Sequence, residues 1–294
     1  MTRATRTLVE VFGFSPLDTT PTARKFWHLS ACPFIGKACN KTNHDSTICY
    51  GTCSVGNTGE NTIICPNRFY ANGYSTIASV AKDAFGDIPF MLFDAYIQRP
   101  EDAGDCVVAL GQNSGREVQV KDLSMDWVLA KISQGRLIEY VGLEVQSIDI
   151  TGNYRDAWYA ARDMASVVPP SQHGLNWANV HKRLIPQIIR KGLVYSRSKF
   201  VKKGMYFIVP EAVYKRFENI LGKDMPVVPA SHETLTVMTY NLGVDQGAGK
   251  MRDLVLVRSA TVTLDDFSAR FVSGPNLPSG DALDDKIRQL LAVR

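Results

Sequence analysis

The period of apolar and polar positions changes several times along the chain, and each change marks an element. The clearest case lies between residues 125 and 148. Two apolar runs, 125–132 and 137–148, flank the short polar loop Ser133-Gln134-Gly135-Arg136, which is the pattern of a β-hairpin. Shorter stretches rich in apolar and aromatic residues, at 88–96, 106–110, 206–209, 235–240 and 254–263, predict further strands. Helical spacing covers 68–86, closed by Gly86, and the alanine-rich stretch 154–167. It returns over 177–191, with Asn176 as N-cap and Gly192 as stop, and over 282–293. Pro186 inside the third of these is expected to kink or split it, because proline brings no N–H to the helical ladder.

Helices and strands mixed in this way, without strict alternation, point to an α/β protein of the α+β kind, a central mixed sheet flanked by helices. Residues 1–70 stand apart. They are rich in Cys, Thr, Asn and Gly and show little apolar period, as expected where metal coordination takes the place of a core. The expected division is therefore a metal-binding module over 1–70 and a larger unit over 71–294.

Composition narrows the class. With 45% hydrophobic and 21% charged residues in 294, the chain can build a sizeable core. The N-terminal residues are broken by charge at Glu10, unlike a signal peptide, and no run of about 18 apolar residues occurs. A soluble, cytoplasmic protein with no membrane partner is expected. Of the 6 cysteines, Cys32, Cys39, Cys49, Cys53 and Cys65 crowd the first quarter and only Cys106 lies outside. In a reducing compartment such a cluster favours metal binding or plain burial over disulfides. The net charge is only +4, but residues 164–210 hold no Asp or Glu while carrying Lys182, Arg183, Arg190, Lys191, Arg197, Lys199, Lys202 and Lys203. A local basic surface of this kind suits a polyanion such as double-stranded DNA.

Chemistry enters through spacing. Side chains two apart on a strand share a face, so Glu144 and Gln146 project together and Asp126 can meet them across the hairpin. Two carboxylates with an amide suit a hard cation such as Mg2+ and hence metal-assisted phosphodiester hydrolysis, in which Gln146 can orient water but not act as a base. The same residues could instead form a solvated strand face. Against that, Trp127, Val128, Leu129, Tyr140, Val141, Leu143 and Val145 make both strands strongly apolar, where unpaired acids are costly. Cys32, Cys39, Cys53 and Cys65 could form a tetrahedral thiolate set for zinc or iron, with Cys49 or His44 as substitutes, although no short Cys-x-x-Cys pair is present. Buried free cysteines are the other reading. On the basic helix, Arg183, Gln187, Arg190 and Lys191 fall at i, i+4, i+7 and i+8, one stripe that could face phosphate, the active site or plain solvent.

Several stretches resemble the NotI family of type II restriction endonucleases. They are Cys32-Pro33-Phe34, Cys39-Asn40-Lys41, Gly51-Thr52-Cys53-Ser54-Val55 and Ile64-Cys65-Pro66-Asn67-Arg68, then Met125-Asp126-Trp127 and Gly142-Leu143-Glu144-Val145-Gln146-Ser147-Ile148-Asp149. Asn179-Val180-His181-Lys182-Arg183 and Gln187 resemble the family's next helix. The likeness runs from about Ala31 to Lys191. It implies a PD-(D/E)XK core with Gln146 where that superfamily usually has lysine, and a structural metal, iron in that family, on Cys32, Cys39, Cys53 and Cys65, with Cys49 outside the set. It further implies double-strand cuts at a palindromic GC-rich site such as CGGCCG, and hence a homodimer; with the strand geometry and the basic stretch above, Mg2+ is expected at Asp126 and Glu144 and DNA contacts from Lys182, Arg183, Gln187 and Arg190. The competing expectation is a metal-stapled DNA-binding protein without catalysis.

Overall fold

The computed structural model describes residues 6–57, 59–100, 104–121, 123–274, 277 and 279–292. Among them Arg6–Val11 (β1), Thr52–Asn57 (β2) and Glu60–Ile63 (β3) pair as a small antiparallel sheet. Seven strands make the central sheet: Phe90–Leu92 (β4), Cys106–Gly111 (β5), Trp127–Ser133 (β6), Arg136–Val145 (β7), Val201–Pro210 (β8), Thr234–Leu242 (β9) and Leu254–Thr263 (β10). Their order in space repeats their order in the chain, from β4 at one edge to β10 at the other. The β4–β5, β7–β8 and β8–β9 pairs are parallel and the rest antiparallel, so the sheet is mixed as expected.

The larger helices are Pro21–Leu29 (α1), Ala71–Phe85 (α2), Arg155–Arg162 (α3), Ile185–Ser196 (α4), Glu211–Leu221 (α5), Leu264–Ser273 (α6) and Gly280–Ala292 (α7). Strand alternation divides them between the two faces of the sheet. Trp127, Leu129, Val141, Leu143 and Val145 are buried with Ile77, Val80 and Ala84 of α2. Val128, Phe207, Val209 and Leu235 are buried on the other face with residues of α3, α4, α5 and α6. Glu144 and Gly142, out of phase with Leu143, therefore belong to the α4 side.

The expected elements shift in places. Strand β4 has only three residues, and Phe93–Tyr96 coils into a helical turn. Helix α3 ends at Arg162, short of residue 167, and the expected helix end at Val293 lies outside the described residues. Asn176 makes no side-chain cap. Pro186 does not end the helical run but comes where it is irregular: Trp177–Asn179 leads into a π turn, Val180–Leu184, and regular α-helix resumes only at Ile185, next to the proline that brings no N–H to the ladder. Nor does Gly192 stop the helix, which runs on to Ser196. A Cβ on Gly192 would lie 2.5 Å from Leu264 Cδ2, so the glycine allows α6 to pack closely against α4. Residues before 70 also contribute more than expected, since Leu8, Val11, Phe12, Val55 and Ile64 join the core on the α4 side and Ile63 joins the other. No helix among the described residues is long and apolar enough to cross a membrane.

Candidate active site

The hairpin register pairs Trp127 with Leu143, which leaves Asp126, just ahead of β6, beside Glu144 on the same face. The backbone N–H of Asp126 donates to Glu144 Oε1 at 3.3 Å. Asp126 Oδ2 accepts from Val145 N–H at 3.0 Å and from Gln146 Nε2 at 3.4 Å. All three residues singled out in the sequence thus meet at one place. Asp126 and Gln146 are half-buried, whereas Glu144 is only 3% exposed.

A fourth group completes the centre. Lys191, from the buried stripe of α4, donates from Nζ to Glu144 Oε2 and is 8% exposed. Burial, then the charge of Asp126, push the Glu144 carboxyl up to about 8, against the pull of the Lys191 ammonium. One helical turn beyond Lys191, Tyr195 lays its ring on Gly142, where a Cβ would come 2.0 Å from Tyr195 Cζ. The Tyr195 hydroxyl is buried and makes no hydrogen bond. Its pKa is driven well above the ordinary value by burial first and by Glu144 next.

The sequence grouped Lys191 with Arg183, Gln187 and Arg190. The structure separates them: those three are exposed, as is Lys182, while Lys191 turns inward. The missed signal was the spacing of Ile185, Ile188, Gly192 and Tyr195, which puts Lys191 within the sheet-facing stripe of α4.

Two adjoining clefts open at this centre. One is lined by Tyr70, Asn113, Glu117, Asp126 and Gln146, the other by Gln146, Asp149, Asn179 and Arg183. Asn40 and Pro66 from the cysteine-rich region line both. Asn179 Nδ2 donates to Asp149 Oδ2 at 2.8 Å, tying the residues after β7 to the start of the basic helix.

The thiols lie behind that wall. Cys32, Cys53 and Cys65 are buried in one cluster with Cys39 packed against it, and all are free. Burial raises the Cys53, Cys65 and Cys32 thiols, and each also senses the charge of another cysteine. Cys49, which the resemblance leaves outside the set, shares a hydrogen bond with Cys39 that lowers the Cys49 thiol to about 7 and raises that of Cys39. Lys41 Nζ donates to the Ile64 carbonyl at 3.0 Å and joins the segment after Cys39 to the one before Cys65. His44 is exposed. Among the described residues, no three His, Cys, Asp or Glu side chains are arranged to hold a metal ion.

Two adjacent carboxylates, Asp126 at the surface of one cleft and Glu144 behind it, with the exposed Arg183 on the wall of the adjoining cleft, suit a hydrolase of phosphodiesters. Comparison with known families identifies the kind. A family model described as "Restriction endonuclease NotI" matches residues 23–236 of the 294, and the chain belongs to that family. It is a type II restriction endonuclease, a site-specific deoxyribonuclease that binds DNA, which sets aside the non-catalytic alternative. Comparison with curated proteins finds no match.

Proposed function

We propose that this chain cuts both strands of DNA through a PD-(D/E)XK centre in which Asp126 and Glu144 hold Mg2+ and Gln146 orients the attacking water. The observation that carries this reading is the meeting of Asp126, Glu144 and Gln146, with Gln146 lining both clefts, Asp126 lining one and Glu144 buried directly behind them. When bound, Mg2+ supplies charge stabilisation at the scissile phosphate and lowers the pKa of water. The chain does the rest. Val145 N–H and Gln146 orient the Asp126 carboxylate, the Asp126 N–H and Lys191 orient Glu144, and Arg183 and Lys182 are exposed where DNA phosphates can be bound. Plasmid DNA incubated with Mg2+, and separately with EDTA, tests the reading: discrete fragments are expected only with Mg2+. Asp126→Ala and Glu144→Ala should each abolish cutting while retaining specific binding in Ca2+, and near-normal cutting by either sinks the assignment.

In length and wording the chain resembles EagI, a member of the family, and CGGCCG is accordingly the target to try first. A palindromic site calls for a two-fold homodimer acting in the cytoplasm, since symmetric DNA is matched by protein symmetry. Sequencing the fragment ends gives the site and the stagger.

The residues expected to hold iron or zinc are Cys32, Cys39, Cys53 and Cys65. Their gathering from four separate segments fits a soft metal, although the side chains are not arranged around a common point. Elemental analysis is the test. One metal per chain is expected in the wild type and in Cys49→Ser but not in Cys39→Ser; metal lost only from Cys49→Ser reverses the ligand set.

A further inference from the structure

Among the described residues Lys191 is the one buried lysine. A buried ammonium is costly unless paired, and its partner is Glu144. The pairing is built into the packing of α4. Ile185 and Ile188 seat the helix on the sheet, and Gly142 leaves room for the Tyr195 ring one turn beyond Lys191. Gln146 brings no charge, so with Glu144 ionised the centre contains two carboxylates and one ammonium. The unpartnered Tyr195 hydroxyl, buried and influenced by both Glu144 and Asp126, marks the same place as one prepared to receive a further polar group.

A divalent cation on Glu144 would place two positive centres against one carboxylate oxygen pair. Their repulsion in a partly desolvated site disfavours keeping the ammonium where it stands. The anion available to receive it is the scissile phosphate, which arrives with DNA. Resting on the active-site assignment above, we infer that Lys191 is the resident cation of the cutting centre: it holds Glu144 while no divalent ion is bound, then moves to a non-bridging oxygen of the scissile phosphate. One side chain thus has two opposite effects, competing with the metal before DNA binds and stabilising phosphate charge afterwards.

Lys191→Met separates this role from a structural one. In calorimetry on the DNA-free protein above about pH 8, where Glu144 is ionised with or without a metal, it should bind Ca2+ tighter than wild type by about fivefold or more, because the competitor is gone. In single-turnover cleavage at saturating Mg2+ it should be slower by about 100-fold or more. Lys191→Arg, which keeps the charge, should show no gain in Ca2+ affinity. A lysine that only held the helix in place would, when lost, weaken both measurements. Unchanged or weaker Ca2+ binding by folded Lys191→Met, or a wild-type cleavage rate, overturns the inference. If the methionine variant does not fold, Lys191→Gln carries the same two expectations. Glu144→Gln assayed alongside keeps the two readings apart. Wild-type cutting by that variant overturns the active-site assignment, whereas its loss together with normal cutting by Lys191→Met overturns the role of Lys191 alone.

Discussion

Glu144 shows how far one residue can be read from sequence. Its strand, its face and its companions Asp126 and Gln146 were legible because a hairpin with period-two alternation leaves little freedom of register. Its protonation was not, because burial and Lys191 come from an element 47 residues away in the chain. The sign of the effect is definite. A carboxyl raised from 4.5 to about 8 keeps its proton more firmly in the folded state, so that contribution to stability is full below about 4.5 and is lost as pH rises through about 8. Coordination needs the carboxylate, so at limiting Mg2+ the cleavage rate should climb between about pH 6 and 8 and then level off. A flat profile over that range means that Glu144 is already ionised at about pH 6 and refutes its raised pKa. Gly142, two residues earlier, is a second test. Gly142→Ala places a methyl 2.0 Å from Tyr195 Cζ and should cost about 1–3 kcal/mol in denaturant unfolding, with unchanged stability contradicting the close packing.

At the scale of elements, long strands read well and helix ends read poorly. Gly192 has the look of a helix stop, yet it serves a contact with Leu264 that only the folded neighbour reveals. The basic helix was recognised, but the π turn at Val180–Leu184 adds a residue to one turn and shifts the faces on either side of it, which a uniform helical period cannot anticipate. Arg183 comes from that turn and lines the cleft at Gln146. Each phosphate contact releases counterions, so Arg183→Ala should lower the magnitude of the salt-dependence slope of DNA binding by about 1, measured by anisotropy across about 50–200 mM salt. An unchanged slope removes Arg183 from the phosphate contacts.

For the whole molecule, the main departure from the sequence reading is the first 70 residues, where metal was expected to replace apolar packing. Their strands instead share both cores with the large sheet, a connection invisible to local periodicity because its partners lie more than a hundred residues away. An ion pair reinforces it. Arg68 Nε donates to Glu10 Oε2 at 3.0 Å with both side chains buried, Ser54 Oγ donates to the same carboxylate oxygen, and Arg68 Nη2 reaches the Arg252 carbonyl just ahead of β10. Arg68→Ala leaves a buried carboxylate unpaired and should cost about 3–5 kcal/mol, with Glu10→Gln milder; a loss under about 1 kcal/mol by denaturant titration refutes this. The order of the central strands has a consequence for synthesis. Because spatial order follows chain order, each strand leaving the ribosome can dock on the one made before it, and none has to be threaded between earlier neighbours. The carboxylates of the hairpin emerge well before Lys191, so a nascent chain arrested between residues 146 and 190 has the acids of the proposed cutting centre without the ammonium that Glu144 meets in the folded protein.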